Sequence, residues 1–357
     1  MSVDQTDNRQ VGTPSGPPPP ARRATMRDVA ELSGVSIKTV SRVINGVATV
    51  SDELRDRVTR AIAQLDFQPN LAASSLRRTD GATRQIALLL EDVANPFSAT
   101  LSRAVENVAR GQDTLVFAGS LDEDPQREVE LVRAATLHRV DGIILVPAAP
   151  DQGYLQREIR NGTPVVFVDR SPRALAADAV LSTNTEGARE AVVHLADHGH
   201  TRIAFLGDRC TVSTCDERLA GYRAALAARG LPEHPGLVVR DLHGTAGAAR
   251  AVAALLDSQH PPTALFTAQN LVTIGAIQAL QERGLHEQIA VVGFDDFPMA
   301  DLMSPKVSVV AQDVMRIGTL AVQRLFERIA GDDTPPREFR VPTALIARGS
   351  GEIPPSR

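Results

Sequence analysis

The sequence predicts a small all-α head followed by a two-lobed α/β domain built on doubly wound parallel sheets. In residues 25–78, apolar residues recur at helical spacing and capping residues precede the runs. From residue 85 onward, short apolar runs alternate with helical patterns, which is typical of parallel α/β sheets. At 357 residues, the chain is long enough for two or three domains with substantial cores.

The head has the spacing of a helix-turn-helix. Thr25 and Asp28 have capping-box spacing at the start of a first helix, and Gly34 ends it with a residue that tolerates a left-handed turn. Ser36 is the predicted cap of the second helix and Ser51 that of the third. The second helix has an apolar inner face of Val40, Val43 and Ile44. Its outward polar residues are Lys38, Thr39, Arg42 and Asn45.

The net charge of −5 is unevenly distributed along the chain. Residues 22–84 contain eleven Arg and Lys against seven Asp and Glu, so the rest of the chain is acidic. A basic head on an acidic body is expected when one domain binds nucleic acid and the other must not adhere to it.

A continuous motif from Val29 to Asn45 follows the pattern V-A-x-x-[AS]-G-V-S-x-x-T-V-S-x-V-[IL]-N. It resembles the head of the LacI/GalR family of bacterial transcription regulators, and Pro69 to Leu76 resembles that family's hinge helix. The resemblance implies that two hinge helices lie in the minor groove of double-stranded DNA, where Leu76 wedges a base step open. The implied DNA contacts are Thr25, Ser36, Ile37, Lys38, Thr39, Ser41, Arg42, Asn45, Asn70, Ala73 and Leu76. Base readout falls to Ile37, Lys38 and Arg42, whereas Thr39, Ser41 and Asn45 hold phosphates.

The body resembles the periplasmic-binding-protein-like domain of the same family. Predicted strands lie at 86–90, 115–118, 142–146, 165–168, 203–206, 237–240, 264–266, 289–293, 307–310 and near 340–341. Helical patterns lie between them, and the resemblance implies three passages between the lobes, with the helix at 313–330 returning to the first lobe. Ligands of such folds bind in the cleft beyond the carboxyl ends of the strands.

Short motifs in the body resemble the family's effector-binding segments. They are Asn95-Pro96-Phe97, Asp169-Arg170, Arg218 to Tyr222 and Phe294-Asp295-Asp296. The resemblance implies effector contacts from Asn95, Phe97, Asp169, Arg218, Asn270, Phe294 and Asp295. Carboxylates accept from hydroxyls and a guanidinium donates two directed bonds, so this set suits a sugar or a related polyol. A structural ion-pair network across the cleft is the alternative role for these residues.

The chain also departs from the family pattern. Gln269-Asn270 stands where a carboxylate usually follows asparagine, and Asp241-Leu242-His243 lacks the usual aromatic residue. Few aromatic side chains are therefore available to stack on a sugar ring, and these residues do not identify the effector.

No motif supports catalysis, a cofactor or a metal site. The sequence lacks a Gly-rich phosphate loop, G-x-S-x-G and H-E-x-x-H. Cys210 and Cys215 stand without further clustered ligands, and His194, His198 and His200 lie in a segment common at a helix end in this family. We therefore expect a protein that is not an enzyme and binds neither metal nor cofactor.

The absence of an apolar signal segment or membrane span predicts a cytoplasmic protein. The predicted boundaries are a disordered leader (1–24), the helix-turn-helix domain (25–69), the hinge helix and linker (70–84), the two-lobed domain (85–348) and a tail (349–357). No terminal leucine heptads are visible, which favours a homodimer over a tetramer.

The favoured interpretation is a repressor that binds a pseudo-palindromic operator and releases it when a small, sugar-like inducer binds. A corepressor response is equally compatible with the residues. Two alternatives remain open: a DNA-binding regulator controlled by a partner protein, and a cytosolic solute-binding or enzymatic protein whose helical head mediates assembly.

Overall fold

The computed structural model describes residues 24–44, 47, 49–68 and 82–356. The chain divides into two compact units, one before Ala82 and one from Ala82 onward. Most of the predicted leader and of the predicted hinge helix lies outside the described residues.

The first unit contains helices α1 (Met26–Ser33), α2 (Ile37–Ile44) and α3 (Asp52–Gln64). The predicted capping box begins α1: Thr25 Oγ1 accepts from the Asp28 amide and the Asp28 carboxylate accepts from the Thr25 amide at 2.7 Å. Ser36 Oγ accepts from the Thr39 amide at 3.1 Å, which confirms the predicted cap of α2. Ser51 is the N-cap residue of α3, as predicted, although its side chain makes no capping hydrogen bond.

The turn between α1 and α2 is held by the third helix. Gly34 has φ +64°, and a Cβ atom there would lie 2.9 Å from Arg57 Nη2. That nitrogen donates to Ser33 O at 2.7 Å, so Arg57 fastens α3 to the end of α1. The core beneath consists of Val29, Ala30, Val40, Val58, Ala61 and Phe67.

The second unit alternates strands and helices. Its strands are β1 (Gln85–Leu90), β2 (Leu115–Ser120), β3 (Gly142–Leu145), β4 (Val165–Val168), β5 (Asp178–Ser182), β6 (Ile203–Leu206), β7 (Val238–Val239), β8 (Ala264–Thr267), β9 (Ala290–Phe294), β10 (Ser308–Gln312), β11 (Glu338–Val341) and β12 (Thr343–Ile346). Its helices are α4 (Pro96–Arg110), α5 (Pro125–Leu137), α6 (Gln156–Arg160), α7 (Asn184–Asp197), α8 (Ser213–Ala228), α9 (Gly244–Leu256), α10 (Asn270–Glu282) and α11 (Val314–Ile329). None of the described helices is long and apolar enough to cross a membrane.

The strands form two six-stranded sheets, one in each lobe. The first sheet has the order β2-β1-β3-β4-β5-β11 and all its pairings are parallel. The second has the order β7-β6-β8-β9-β10-β12, and β12 is its antiparallel strand. Each sheet has an apolar cluster on both faces. This arrangement confirms the predicted doubly wound, two-lobed fold.

The chain passes between the lobes three times. It leaves the first lobe between β5 and α7, returns between β10 and α11, and leaves again between β11 and β12. Helix α11 packs in the core of the first lobe, where Ile317 and Leu325 are buried. The three passages and the return of this helix are as the family resemblance implied.

Two strands were missing from the prediction. Strand β5 begins with a buried charged residue, Asp178, which accepts hydrogen bonds from Arg324 and Arg328 at 2.9 and 2.6 Å. Strand β12 is separated from β11 only by Pro342, so the two had appeared as one short run. Both depend on tertiary contacts that the apolar pattern does not reveal.

Residues 349–353, assigned to a tail in the prediction, pack against the second lobe. Ser350 is buried; its carbonyl accepts from the Val291 amide at 2.9 Å, and its hydroxyl donates to Val291 O at 2.6 Å. His194 Nε2 lies 2.5 Å from Glu352 Oε1, and His200 Nε2 lies 2.8 Å from Ile353 O. These two histidines therefore fasten the end of the chain to the lobe.

Candidate functional site

Helix α2 exposes three of the side chains expected to contact DNA. Val40 is fully buried, while Ile37, Lys38 and Arg42 are exposed. Thr25 and Ser36 are also exposed, and Thr39 and Ser41 are half-buried. Asn45, Asn70, Ala73 and Leu76 lie outside the described residues.

Two hydroxyl groups at the N-terminal end of α2 are hydrogen-bonded to each other. Ser36 Oγ and Thr39 Oγ1 lie 3.0 Å apart.

Lys38 and Arg42 are four residues apart and therefore lie on one face of the helix. Long cationic side chains on one exposed helix face can reach phosphates and the edges of bases.

In the second unit, the two lobes contribute equivalent aspartates to one cleft. Asp169 follows β4 with φ +69° and Asp295 follows β9 with φ +71°. The amide of Asp169 donates to Val180 O at 3.1 Å, and that of Asp295 donates to Val310 O at 2.9 Å. Aspartate tolerates this left-handed conformation better than most residues. Both carboxylates line a cavity between the lobes.

Arg218 crosses the floor of this cavity and is 4% exposed. Its Nε donates to Asn184 Oδ1 at 2.9 Å, and its Nη1 donates to Ala268 O at 2.8 Å and lies 3.4 Å from Asp295 Oδ2. The guanidinium stacks on the Phe294 ring at 3.8 Å from the ring centroid. Phe294 is fully buried behind Arg218 and is not among the residues lining the cavity. Phe294, predicted as an effector contact, therefore supports Arg218 from behind in this structure.

A hydrogen bond joins the lobes at the edge of the cavity. Asn270 Nδ2, at the start of α10, donates to Asn95 Oδ1, at the start of α4, across 2.9 Å. The same Asn95 oxygen accepts from the Phe97 amide at 3.0 Å, and Asn95 Nδ2 donates to Glu91 at 2.9 Å. Asn95 and Phe97 line the cavity as expected, and Asn270 holds Asn95 in position.

Gln312 ties the cavity to the passages between the lobes. It lies at the end of β10, and its Nε2 donates to Asp295 Oδ1 at 2.5 Å. Its Oε1 accepts from the hydroxyl of Ser182, which ends β5 before the first passage. One side chain therefore joins two passages to a carboxylate of the cavity.

Comparison with known proteins matches both units. Residues 25–70 match "Bacterial regulatory proteins, lacI family", and residues 192–351 match "Periplasmic binding protein-like domain". The chain is 30% identical over 330 residues to the HTH-type transcriptional repressor PurR of Aliivibrio salmonicida, covering 92% of this chain and 98% of that one. The chain belongs to the lacI family of bacterial regulatory proteins.

Two solved structures of transcription regulators are also similar to the chain. The lac repressor dimer bound to operator and the anti-inducer ONPF is 25% identical, with a TM-score of 0.81, over 92% of this chain and 99% of that one. The complex of the transcriptional regulator CelR with cellobiose is 31% identical, with a TM-score of 0.69, over 92% and 100%. This lacI-family chain is accordingly a DNA-binding transcription regulator and not an enzyme.

Several cavity residues of this lacI-family chain were missing from the predicted set. They include Glu91, Arg170, Asp208, Gln269 and Gln312. Glu91 directly follows β1 and Asp208 comes two residues after β6, at the carboxyl ends of parallel strands. That position is the signal that would have found them, since ligands of open parallel sheets bind at those ends.

The cavity is rich in buried charge. Arg170 donates to both oxygens of Glu123, at 2.8 and 2.5 Å, and to Glu91 at 3.3 Å. Burial raises the pKa of Glu91 to about 8, although Arg170 opposes this shift. Burial also raises the pKa of Asp169 and of Asp208. In the part of the chain that the structure describes, no group of three His, Cys, Asp or Glu could hold a metal ion.

Proposed function

We propose that the chain is a repressor whose affinity for a pseudo-palindromic operator is switched by a small, sugar-like effector bound between the lobes. The observation that carries the proposal is a polar cavity to which both lobes contribute hydrogen-bonding side chains. Carboxylates and two guanidinium groups converge there, a set that can hydrogen-bond the hydroxyl groups of a ligand. The cellobiose complex of a relative supports a carbohydrate-like ligand.

Effector binding changes the DNA-binding form through the contacts between the lobes. A ligand that competes with the bond between Asn95 and Asn270, or fastens Asp169 to Asp295, favours one angle between the lobes. Such a ligand shifts the equilibrium only by its difference in affinity for the two forms, typically about 1–3 kcal/mol. We propose release of DNA as the response.

A thermal-shift screen of sugars, polyols and nucleosides tests this proposal. A ligand that binds the native state raises stability by about 2.7 kcal/mol at a hundred times its Kd. Each stabilising compound is then added to an anisotropy titration with DNA from upstream of the protein's own gene. Compounds that stabilise the protein without changing its affinity for the operator would contradict the proposed switch.

Lys38→Ala is expected to relax sequence discrimination at one operator position by about 1–3 kcal/mol, because a lysine can donate to the acceptors of guanine. Lys38 is exposed on α2, so its removal leaves the head folded. Anisotropy titrations with operator variants and random DNA measure the effect. The matched control is Lys306→Ala, an exposed lysine in the second unit. Equal weakening on operator and random DNA would assign Lys38 to phosphate contact instead.

The homodimer is supported by apolar side chains exposed at one edge of the first lobe. Strand β2 ends the first sheet, and Leu115 and Phe117 on it are 56% and 51% exposed. On the neighbouring helix α5, Val129 and Leu137 are 41% and 76% exposed. Large apolar residues clustered at a surface usually mark an interface, and the solved lac repressor relative is a dimer.

Phe117→Asp is expected to weaken self-association by about tenfold or more, because each copy loses the burial of an aromatic side chain in the dimer. Sedimentation equilibrium measures the dissociation constant, and operator affinity should fall with it. Phe117→Leu keeps an apolar side chain and should remain dimeric. A Phe117→Asp protein that stays a dimer at the same concentrations would place the interface elsewhere.

A further inference from the structure

The cavity between the lobes has more acidic than basic groups. Its lining includes four carboxyl groups, Glu91, Asp169, Asp208 and Asp295, and two guanidinium groups, Arg170 and Arg218. The charge of a ligand that fits the cavity depends on which of these groups already have a partner of opposite charge within the protein. The inference rests on the proposed function, since it concerns the same effector site.

Both guanidinium groups are committed to protein partners. Arg170 forms a two-pronged ion pair with Glu123 and also donates to Pro147 O at 3.0 Å. Arg218 is held by Asn184, Ala268 O and Asp295. Arg170 is therefore shared among Glu123, Glu91 and Asp169, and Arg218 pairs with Asp295, so two positive charges face five carboxyl groups when Asp208 is included.

Two carboxylates that face the cavity remain poorly satisfied. Asp169 is 9% exposed, and among residues 82–356 no side chain or amide donates a hydrogen bond to its carboxylate. Arg170 Nε lies 3.4 Å from Asp169 Oδ2, yet this buried nitrogen makes no hydrogen bond in the described structure. Asp208 accepts at 2.7 Å from the amide of Arg209, the next residue in the chain. Acceptors and negative charge are thus both in surplus.

We infer that the effector is a small hydroxylated molecule that carries a protonated amine, and that this amine is bound by Asp169 and Asp208. Hydroxyl groups alone would supply donors but leave the charge unbalanced. A phosphate or carboxylate on the ligand would add to the surplus. An ammonium group supplies three donors and the missing positive charge, and charge-assisted bonds are the stronger ones.

The ionisation of Glu91 should respond to such a ligand. With its pKa raised to about 8, Glu91 is mostly protonated at pH 7 in the free protein. A cation bound nearby favours the ionised carboxylate and lowers that pKa, so binding at pH 7 should release protons. A neutral ligand would release few. Calorimetric titration in two buffers of different ionisation enthalpy measures the number released.

Matched sets of probes test the inference on the full-length protein. Each set contains an amino sugar, its parent sugar and the 6-phosphate of that sugar, in the gluco, galacto and manno series. The amino sugar should raise the melting temperature most in the series that binds best. Its affinity should exceed that of the parent sugar by about tenfold or more, with proton release at pH 7.

Charge-neutralising variants locate the amine. Asp208→Asn and Asp169→Asn should each remove most of the preference for the amino sugar while the parent sugar still binds. Asp257→Asn, which alters an exposed ion pair with Arg283, is the matched control and should keep the preference. Retention of the preference in both cavity variants would overturn the assignment.

Three results would overturn the amine inference: a parent sugar that stabilises best, a 6-phosphate that stabilises best, or no shift with any amino sugar. If a parent sugar or a 6-phosphate stabilises the protein and also releases the operator, the proposed function stands and only the amine is wrong. If an amino sugar binds tightly without altering DNA binding, the amine inference stands and the proposed switch fails.

Discussion

Arg218→Ala is expected to abolish the response of operator binding to the effector and to lower the free energy of unfolding of the second unit by about 3–5 kcal/mol. Arg218 is 4% exposed and lies against Asp295, so its removal leaves a buried carboxylate without its cation. The ring of Phe294 also loses the guanidinium stacked on it. Anisotropy titrations with and without the effector and urea denaturation measure the two effects.

The control for Arg218→Ala is Arg283→Ala, since Arg283 pairs with Asp257 at the surface. Exposed ion pairs contribute little to stability, so this variant should unfold like the unaltered protein and keep its response. Operator affinity in the absence of effector should be nearly unchanged in both variants. A folded Arg218→Ala protein that no longer binds the operator would show that Arg218 shapes the DNA-binding form itself.

Raising the salt concentration from 50 to 200 mM is expected to weaken operator binding by about 10³–10⁵ if the dimer neutralises six to ten phosphates. The head exposes Arg27, Lys38, Arg42 and Arg60, and each of them would be present twice in the proposed dimer. Counterion release gives a slope of about −0.9 per phosphate in a plot of log affinity against log salt concentration. Anisotropy titrations at four or five salt concentrations measure this slope.

Arg42→Ala separates this electrostatic contribution from sequence readout. If Arg42 contacts phosphates, the slope becomes shallower by about 0.9 for each head in the dimer, and operator and random DNA weaken alike. If Arg42 instead contacts a base, the ratio of the affinity for operator to the affinity for random DNA falls as well. A nearly flat salt dependence, with equal affinity for operator and random DNA, would contradict the proposed operator binding.

The sequence predicted the elements that local patterns determine. The capping box at Thr25, the turn at Gly34 and the cap at Ser36 each depend on residues close in the chain, and each is present. The role of Arg57 was not predicted, because it depends on the contact between α3 and the end of α1. Strand β5 was missed because the charge on Asp178 is neutralised by Arg324 and Arg328 of α11, which lie far along the chain.

The cleft residues that lie in local motifs were predicted, whereas those brought together only by the fold were not. Asp169, Arg218 and Asp295 were found through their motifs, and all three line the cavity. Glu91 and Asp208 were missed, because what brings them there is the meeting of strand ends from two sheets. Phe294 was predicted as a ligand contact, yet its ring supports Arg218, and a motif cannot distinguish these orientations.

Gln312 links the chemistry of the cavity to the geometry of the passages between the lobes. The side-chain amide of Gln312 is hydrogen-bonded both to Asp295 and to Ser182 at the end of β5. A ligand that changes the hydrogen bonding of Asp295 therefore also changes the contact at the point where the chain leaves the first lobe. The sensitivity of such a switch can therefore be retuned by changing the length or polarity of this one side chain. Two proteins with identical ligand contacts can therefore differ in how much the ligand changes their affinity for DNA.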